Sequence, residues 1–473
     1  METQGGKHNM ETKPNILFFF TDDQRFDTIR ALGNKEIKTP NMDELVQKGT
    51  AFTQAHIPCG TSAAVCMPSR AMLHTGRTLF HLEGEGQSIP KEHSLLGETL
   101  GNAGYETFGI GKWHNGKNAF ARSFKNGSRI FFGGMDDHWN VPIYDFDPEG
   151  KYDKPRKTIK EPLKNNEITY DNSSQYIYSG KHSSELFCDA AIDCLNGHKK
   201  DNPFFMYISF MAPHDPRSMP EEFLSMYNPA DISLPPNFCE EHRFDYGVKD
   251  IRDELLSEYP RTSSEIKKHI AEYYAMITHL DFEMGRVIKK LKEIGEYENT
   301  IIILAGDNGL ALGQHGLMGK QSAYEHSVRV PLVFCGKGIP NNEVCDTYVY
   351  LLDIFPTICD FAGIAVPKTV EGKSLIPAMR KREEHARESL YFAYTDVIRA
   401  VKDKKYKLIE YRNDELSKSQ LFDLKNDPFE QYDLIDRPEF KTIRTKLTNK
   451  LIGYKNEWND MSHPLGAKFW NKY

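Results

Sequence analysis

Apolar residues along this chain come in short, nearly unbroken runs separated by longer stretches in which apolar positions recur every three or four residues. Asn15 to Thr21, Tyr105 to Ile110, Phe204 to Phe210, Thr300 to Ala305 and Val330 to Phe334 are runs of strand length. A run apolar at every position predicts a strand covered on both faces. Helical spacing predicts helices over Thr39–Lys48, Ser94–Ala103 and Ser184–Leu195. It also predicts a long one over Ser264–Ile294, with Ile270, Tyr274, Ile277, Leu280 and Met284 on one side. Asp346–Ala362 reads as a further helix interrupted at Pro356. Strands alternating with helices define an α/β fold with a large, mostly parallel sheet flanked by helices. Beyond about residue 380 the pattern changes. Ser389–Tyr394, Val397–Lys402, Lys405–Tyr411 and Leu421–Asp423 read as an antiparallel meander closed by a helix over Thr442–Asn456. The expected organisation is a disordered tail over 1–13, an α/β domain over 14–380 and a smaller antiparallel-sheet subdomain over 381–473. The polar stretch 115–183 reads as a long excursion with little regular structure.

Composition narrows the class. Of 473 residues, 39% are apolar and 12% aromatic, which excludes a disordered chain. Sixty Lys and Arg against 67 Asp and Glu leave a net charge of −7, so a broadly basic nucleic-acid or anionic-membrane binder is not expected. No apolar run approaches the roughly 18 residues of a membrane span, and Met1 to Thr12 shows no signal-peptide pattern. Eight cysteines form no C-x-x-C pair, and seven read as small buried hydrophobes.

The candidate chemistry sits just past the strands. Asp22 and Asp23 follow the first run directly, and Asp307-Asn308-Gly309 follows another. Either group alone also fits a helix N-cap or a turn. Together they supply four oxygen-bearing side chains where α/β sheets gather ligands, a set suited to Ca²⁺ or Mg²⁺. Cys66 precedes Pro68-Ser69-Arg70, at the start of a helix ending near Gly76. This reads either as a buried cysteine or as a nucleophile favoured by the helix dipole and Arg70. Gly111 to Asn118 nearly spells a phosphate-binding loop, but Asn118 stands where Ser or Thr should be.

Cys66-x-Pro68-Ser69-Arg70 followed by Thr75-Gly76-Arg77 resembles the maturation signature of the type I sulfatases, of the alkaline phosphatase superfamily. Other marks occur in the family's order: Asp22-Asp23-Gln24, Thr39-Pro40-Asn41-Met42-Asp43, Gly111-Lys112-Trp113-His114 and Ala212-Pro213-His214-Asp215-Pro216. Gly306-Asp307-Asn308-Gly309, Gly319-Lys320, Arg329-Val330-Pro331 and Leu421-Phe422-Asp423-Leu424 follow. The resemblance implies that Cys66 is oxidised by a formylglycine-generating maturation enzyme. The hydrate is the nucleophile, and its second hydroxyl expels sulfate once the first has been sulfated. It also implies a cation, Ca²⁺ or Mg²⁺, on Asp22, Asp23, Asp307, Asn308 and the modified Cys66. Arg70 would hold the hydrate, and Lys112 and Lys320 the sulfate oxygens. His114 would assist the elimination, and His214 would protonate the departing alcohol.

For the substrate, the resemblance points to a carbohydrate sulfate. Gly111–Gly116 and Gly319-Lys320-Gln321-Ser322 look similar to bacterial heparin/heparan uronate-2-O-sulfatases, which makes Lys91 and Gln321 the expected substrate-binding residues. Other sugar sulfates, such as N-acetylglucosamine 6-sulfate, and a phosphonate or phosphodiester are the alternatives. A non-catalytic sulfated-glycan binder follows if Cys66 stays a thiol. The family implies a bacterial periplasmic location, against a chain with no visible export signal, so a cytoplasmic one stays open.

Overall fold

The computed structural model describes residues 13–161, 163–381 and 387–473; all but the last residue of the tail expected over 1–13 lies outside them. In chain order the elements that build the site are β1 (Asn15–Thr21), α1 (Pro40–Gln47), β2 (Gly49–Phe52), β3 (Cys59–Gly60), α2 (Cys66–Thr75) and α3 (Leu96–Asn102). Then come β4 (Glu106–Lys112), β5 (Asn126–Phe131), α4 (Ser183–Gly197), β6 (Phe204–Ser209), α5 (Ser263–Glu293) and β7 (Thr300–Gly306). β8 (Leu332–Gly336), β9 (Glu343–Cys345), α6 (Ile354–Ala362), β10 (Ser389–Tyr394), β11 (Ile398–Asp403), β12 (Tyr406–Arg412), β13 (Ser417–Asp423) and α7 (Lys441–Glu457) follow.

Eight strands form one sheet in the order β9-β2-β8-β7-β1-β6-β4-β5, in which only β8 runs against the others. β1 lies in the middle, with Phe18 level with Tyr207 on one side and Ile303 on the other. Its side chains alternate between two cores. Ile16, Phe18 and Phe20 enter one, Leu17 and Phe19 the other, and both are fully buried. That is why the run shows no polar alternation. The parallel strands β7, β1, β6 and β4 all end at the same edge, so the residues that follow them are brought together.

Several expectations are corrected. Residues 115–183 are not an irregular excursion. They hold a helix (Lys117–Ser123), β5 on the edge of the main sheet and two antiparallel pairs, 140–143 with 176–179 and 156–159 with 168–171. The strands are short and largely polar, which hid them. Asp346–Ala362 is a short strand (Val349–Tyr350), a single 3₁₀ turn and then α6, rather than one helix. Pro356 sits in the first turn of α6, where its missing N–H costs nothing, so it interrupts nothing. All eight cysteines are free, but Cys194, Cys239 and Cys345 are only half-buried, so four rather than seven join Cys66 in the interior.

The C-terminal strands form a second sheet, β13-β12-β11-β10-β3. Its last member is Cys59–Gly60, from the other end of the chain and parallel to β10. Leu447 and Leu451 of α7 pack into the same hydrophobic cluster as Phe18 and Phe20. The 381–473 segment therefore shares its core with the α/β domain.

Candidate active site

The two acids of the first run leave β1 together. Asp22 is buried, and Asp23 turns back in a left-handed conformation, φ 64°. Asp23 is held in place by its own N–H on Asp307 Oδ1 (3.0 Å) and by Tyr273 Oη, which donates to its carbonyl (2.6 Å). Asp307 follows β7 in the same way. Cys66 sits in the first turn of α2, and Arg70 lies one turn on. Asp22, Cys66 and Asp307 each offer a ligand atom within 4.8 Å of the others.

Cations close around these acids. Lys112 Nζ contacts Asp22 Oδ2 and stands 3.9 Å from Cys66 Sγ. Lys320 Nζ donates to Asp23 Oδ1 at 2.7 Å. Arg70 Nε donates to Asp307 Oδ2 at 2.9 Å and Nη1 to Ser209 Oγ at 2.6 Å. His114 Nδ1 is 3.4 Å from Cys66 Sγ. His214 Nδ1 donates to the Asp215 carbonyl at 2.8 Å, leaving Nε2 3.6 Å from Asp23 Oδ2.

The electrostatics follow from burial and crowding. Burial works against the Asp22 carboxylate, but the adjacent Lys112 and Arg70 charges hold it well below the usual carboxylate range. Burial and then the Asp22 charge push Asp307 up to about 7, against Arg70 and Lys112. Burial pushes the Cys66 thiol up to about 11, so as a plain cysteine it is protonated and a poor nucleophile. Burial, reinforced by Lys112 and Arg70, keeps His114 neutral. Burial opposes the Lys320 charge, but Asp23 more than offsets it.

The donor set fits a hard divalent cation. Three carboxylates and one amide supply only oxygen, and Asp22 Oδ1 and Asn308 Oδ1 are buried and accept no hydrogen bond.

Asp22, Asp23, Cys66, Arg70, Lys112, His114, His214, Asp307, Asn308 and Lys320 are thus brought to one edge of the sheet. Gln321 lies beside Lys320, but its amide is engaged. Oε1 accepts the Lys320 N–H (2.9 Å), and Nε2 donates to the Ala63 carbonyl (3.0 Å) and Asp253 Oδ2 (2.8 Å). Lys91 is exposed, with its carbonyl on Arg122, and among the described residues no hydrogen bond or ion pair ties it to this cluster. Lys117, the lysine of the near-miss phosphate loop, donates to Tyr144 Oη and the carbonyls of Tyr152 and Asn172 instead.

Four supporting residues carried no sequence signal. Ser209, at the end of β6, accepts from Arg70. His138 Nε2 donates to the His214 carbonyl (3.0 Å). Arg252 clamps the Asp215 carboxylate. Glu254 accepts the N–H groups of Met318 and Gly319 at 2.9 Å each, which shapes the Lys320 loop. Their partners lie 37 to 139 positions away in the chain.

A mostly parallel sheet with paired acids and a helix-borne cysteine at its carboxyl edge defines a hydrolase of the alkaline phosphatase-like fold. Within it, the chain belongs to the sulfatase family, whose model matches residues 14–364, and it hydrolyses sulfate esters. Residues 313–457 match the model described as N-sulphoglucosamine sulphohydrolase, C-terminal. The chain is 28% identical to an arylsulfatase of Clostridium perfringens, over 95% of this chain and 96% of that one. It is 26% identical to an N-acetylglucosamine-6-O-sulfatase of Bacteroides thetaiotaomicron, over 95% and 88%. A solved structure in complex with its substrate D-glucosamine-2-N,6-O-disulfate superposes with a TM-score of 0.78 at 22% identity, covering 96% of this chain and 99% of that one. Among the described residues no helix is long and apolar enough to cross a membrane.

Proposed function

We propose that this sulfatase acts on the 6-sulfate of a glucosamine unit in glycosaminoglycan fragments, through a formylglycine made from Cys66 and a bound Ca²⁺ or Mg²⁺. The observation that carries the mechanism is the placement of Cys66 Sγ, with Lys112 at 3.9 Å, His114 at 3.4 Å and the Asp22 and Asp307 carboxylates beside it. A thiol buried and protonated there has no evident use, whereas an aldehyde hydrate at that point has a nucleophilic oxygen and a second hydroxyl for release. Asp22, Asp23, Asp307 and Asn308 would hold the cation, which when bound lowers the pKa of a coordinated hydroxyl and neutralises sulfate charge.

The chain's own groups then divide the work. Lys112 and Lys320 pair with carboxylates and can turn to the sulfate oxygens, stabilising the charge that builds during transfer. Arg70, fixed by Asp307 and Ser209, orients the residue-66 side chain. Neutral His114 accepts the proton of the remaining hydroxyl. His214, its Nδ1–H given to Asp215, presents Nε2 to the departing oxygen and, as the imidazolium, donates the Nε2 proton to it.

The amino-sugar reading is supported by the N-acetylglucosamine-6-O-sulfatase relative and by the substrate in the superposed structure. The uronate 2-sulfate reading expected from the sequence named Lys91 and Gln321 as substrate-binding residues, and here Lys91 is exposed and the Gln321 amide is engaged internally. Mass spectrometry of the Cys66 peptide from the natural host, with sulfate release from defined sulfated saccharides, tests both points. Formylglycine at position 66 and release from glucosamine 6-sulfate are expected. An unmodified thiol would sink the mechanism, and release from 2-sulfated uronates alone would replace the substrate.

A further inference from the structure

The loop that carries His214 also carries an arginine whose charge is not used. Arg217 lies three residues beyond His214 and two beyond Asp215, and most of its surface is covered. Among the described residues no carboxylate lies within ion-pair distance of it. Among the described residues its one hydrogen bond runs from Nη1 to His269 Nδ1 (2.9 Å), and its Nε is buried with no partner there. His269 is a neutral acceptor, since burial and then the Arg217 charge lower it to about 4.

The surroundings explain why Arg217 is left over. The carboxylates whose charge reaches it are Asp215, Glu272 and Asp23. Each is paired elsewhere: Asp215 with Arg252, Glu272 with Lys268 and Asp23 with Lys320. A covered guanidinium with no anion is costly, because desolvation is not repaid. Its place in the site is set by α5. His269 and Tyr273 are four residues apart, on one helix face. Tyr273 holds the Asp23 carbonyl, so the helix face on which Arg217 docks also reaches the acid that faces His214, and the Asp23 charge is felt at Arg217.

We infer that Arg217 is a specificity residue that binds a second anionic substituent of the substrate, on the sugar whose oxygen departs towards His214. Guanidinium binds carboxylates and sulfates alike through its planar fork. The shared chemistry is therefore an oxyanion close to the scissile ester, supplied either by an N-sulfate or by a carboxylate. The inference rests on the sugar-sulfate reading and narrows it to doubly anionic sugars.

The test compares converted enzyme with its Arg217→Gln and Arg217→Lys variants on two substrate pairs. One pair is N-sulfated and N-acetylated glucosamine 6-sulfate. The other is a 2-sulfated unsaturated uronate and its methyl ester. For Arg217→Gln, the kcat/KM preference for the doubly anionic member should fall about tenfold or more, mainly through KM, with partial recovery in Arg217→Lys. The pair that responds identifies the anion. Binding of both pairs to Cys66→Ala protein, with and without Arg217→Gln, is measured by calorimetry as well. If the converted enzyme releases sulfate from neither sugar class, the substrate reading fails, while the calorimetric preference still decides Arg217. Preferences unchanged in both pairs, or equal losses on all four compounds, would assign Arg217 to loop support and overturn the inference.

Discussion

At the scale of the residue, the site depends on what surrounds Cys66 more than on the cysteine itself. Burial raises its thiol to about 11 even with two lysines nearby. Thiolate chemistry at neutral pH is therefore disfavoured, and conversion to an oxygen nucleophile removes the obstacle. Cys66→Ala should release no sulfate from a substrate the converted enzyme cleaves, yet still bind it by calorimetry, because Lys112, Lys320 and the acids stay in place. Retained turnover would contradict the assignment. Cys66, Arg70 and the paired acids were legible in the sequence because each sits in a short local motif. Ser209, His138 and Arg252 were not, because a lone polar residue at a strand end or in a loop looks the same whether or not it has a distant partner.

At the scale of the element, small backbone devices aim the side chains. β4 was expected to end at Ile110. It continues to Lys112, with Gly111 at φ +82°, while Arg129 of the neighbouring β5 is the extra residue in the register shift opposite Ile110 and Gly111. A Cβ at Gly111 would lie 2.0 Å from the Ser209 carbonyl oxygen. Gly111→Ala should therefore destabilise the protein by about 1–3 kcal/mol. It should also lower kcat by displacing Lys112, readable by denaturant unfolding and steady-state kinetics on the same sample.

The N-terminus of α1 offers a second case. Thr39 makes no side-chain cap. Asp281 of α5 caps the helix instead, with Oδ1 accepting from the Met42 N–H at 2.7 Å and Oδ2 from the Asn41 N–H at 3.1 Å. Burial raises Asp281 to about 6, despite these bonds. The folded state then holds this proton more tightly than the unfolded chain. Its contribution is complete below about pH 4 and is lost as pH rises through about 6. Asp281→Ala should cost about 1–3 kcal/mol by leaving two N–H groups unpaired, and it should flatten the fall in stability between those pH values in thermal or chemical melts.

At the scale of the whole molecule, the two sheets form one folding unit. β3 gives its edge to β10, and the C-terminal strands share a core with β1. Buried charges join them further. Glu325, on the segment after the Lys320 loop, contacts Lys402 at 2.7 Å and Lys407 at 2.8 Å, and Lys407 also holds Glu430 at 2.8 Å. A chain ending at residue 381 should therefore not fold, which soluble yield and circular dichroism would show; a folded, cooperative truncation would refute it. Glu325→Gln should lower stability by about 3–5 kcal/mol, as expected when one member of a buried ion network is neutralised, measured by urea unfolding.

The sequence by itself determined five of the eight strands of the main sheet, the long helix α5, the C-terminal meander and the acids and cysteine of the site. All of these rest on local signals: unbroken apolar runs, helical periodicity and short motifs. Tertiary structure alone decided the rest. It joined Cys59–Gly60 to a sheet more than 300 residues away in the chain. It left Lys91 exposed and engaged Gln321 internally, paired Asp215 with Arg252, and left Arg217 without an anion. These outcomes depend on which charges meet after the chain has closed. Pairing, burial and the lack of a partner belong to neighbours in space, and residue order records those only where the neighbours are also close in sequence.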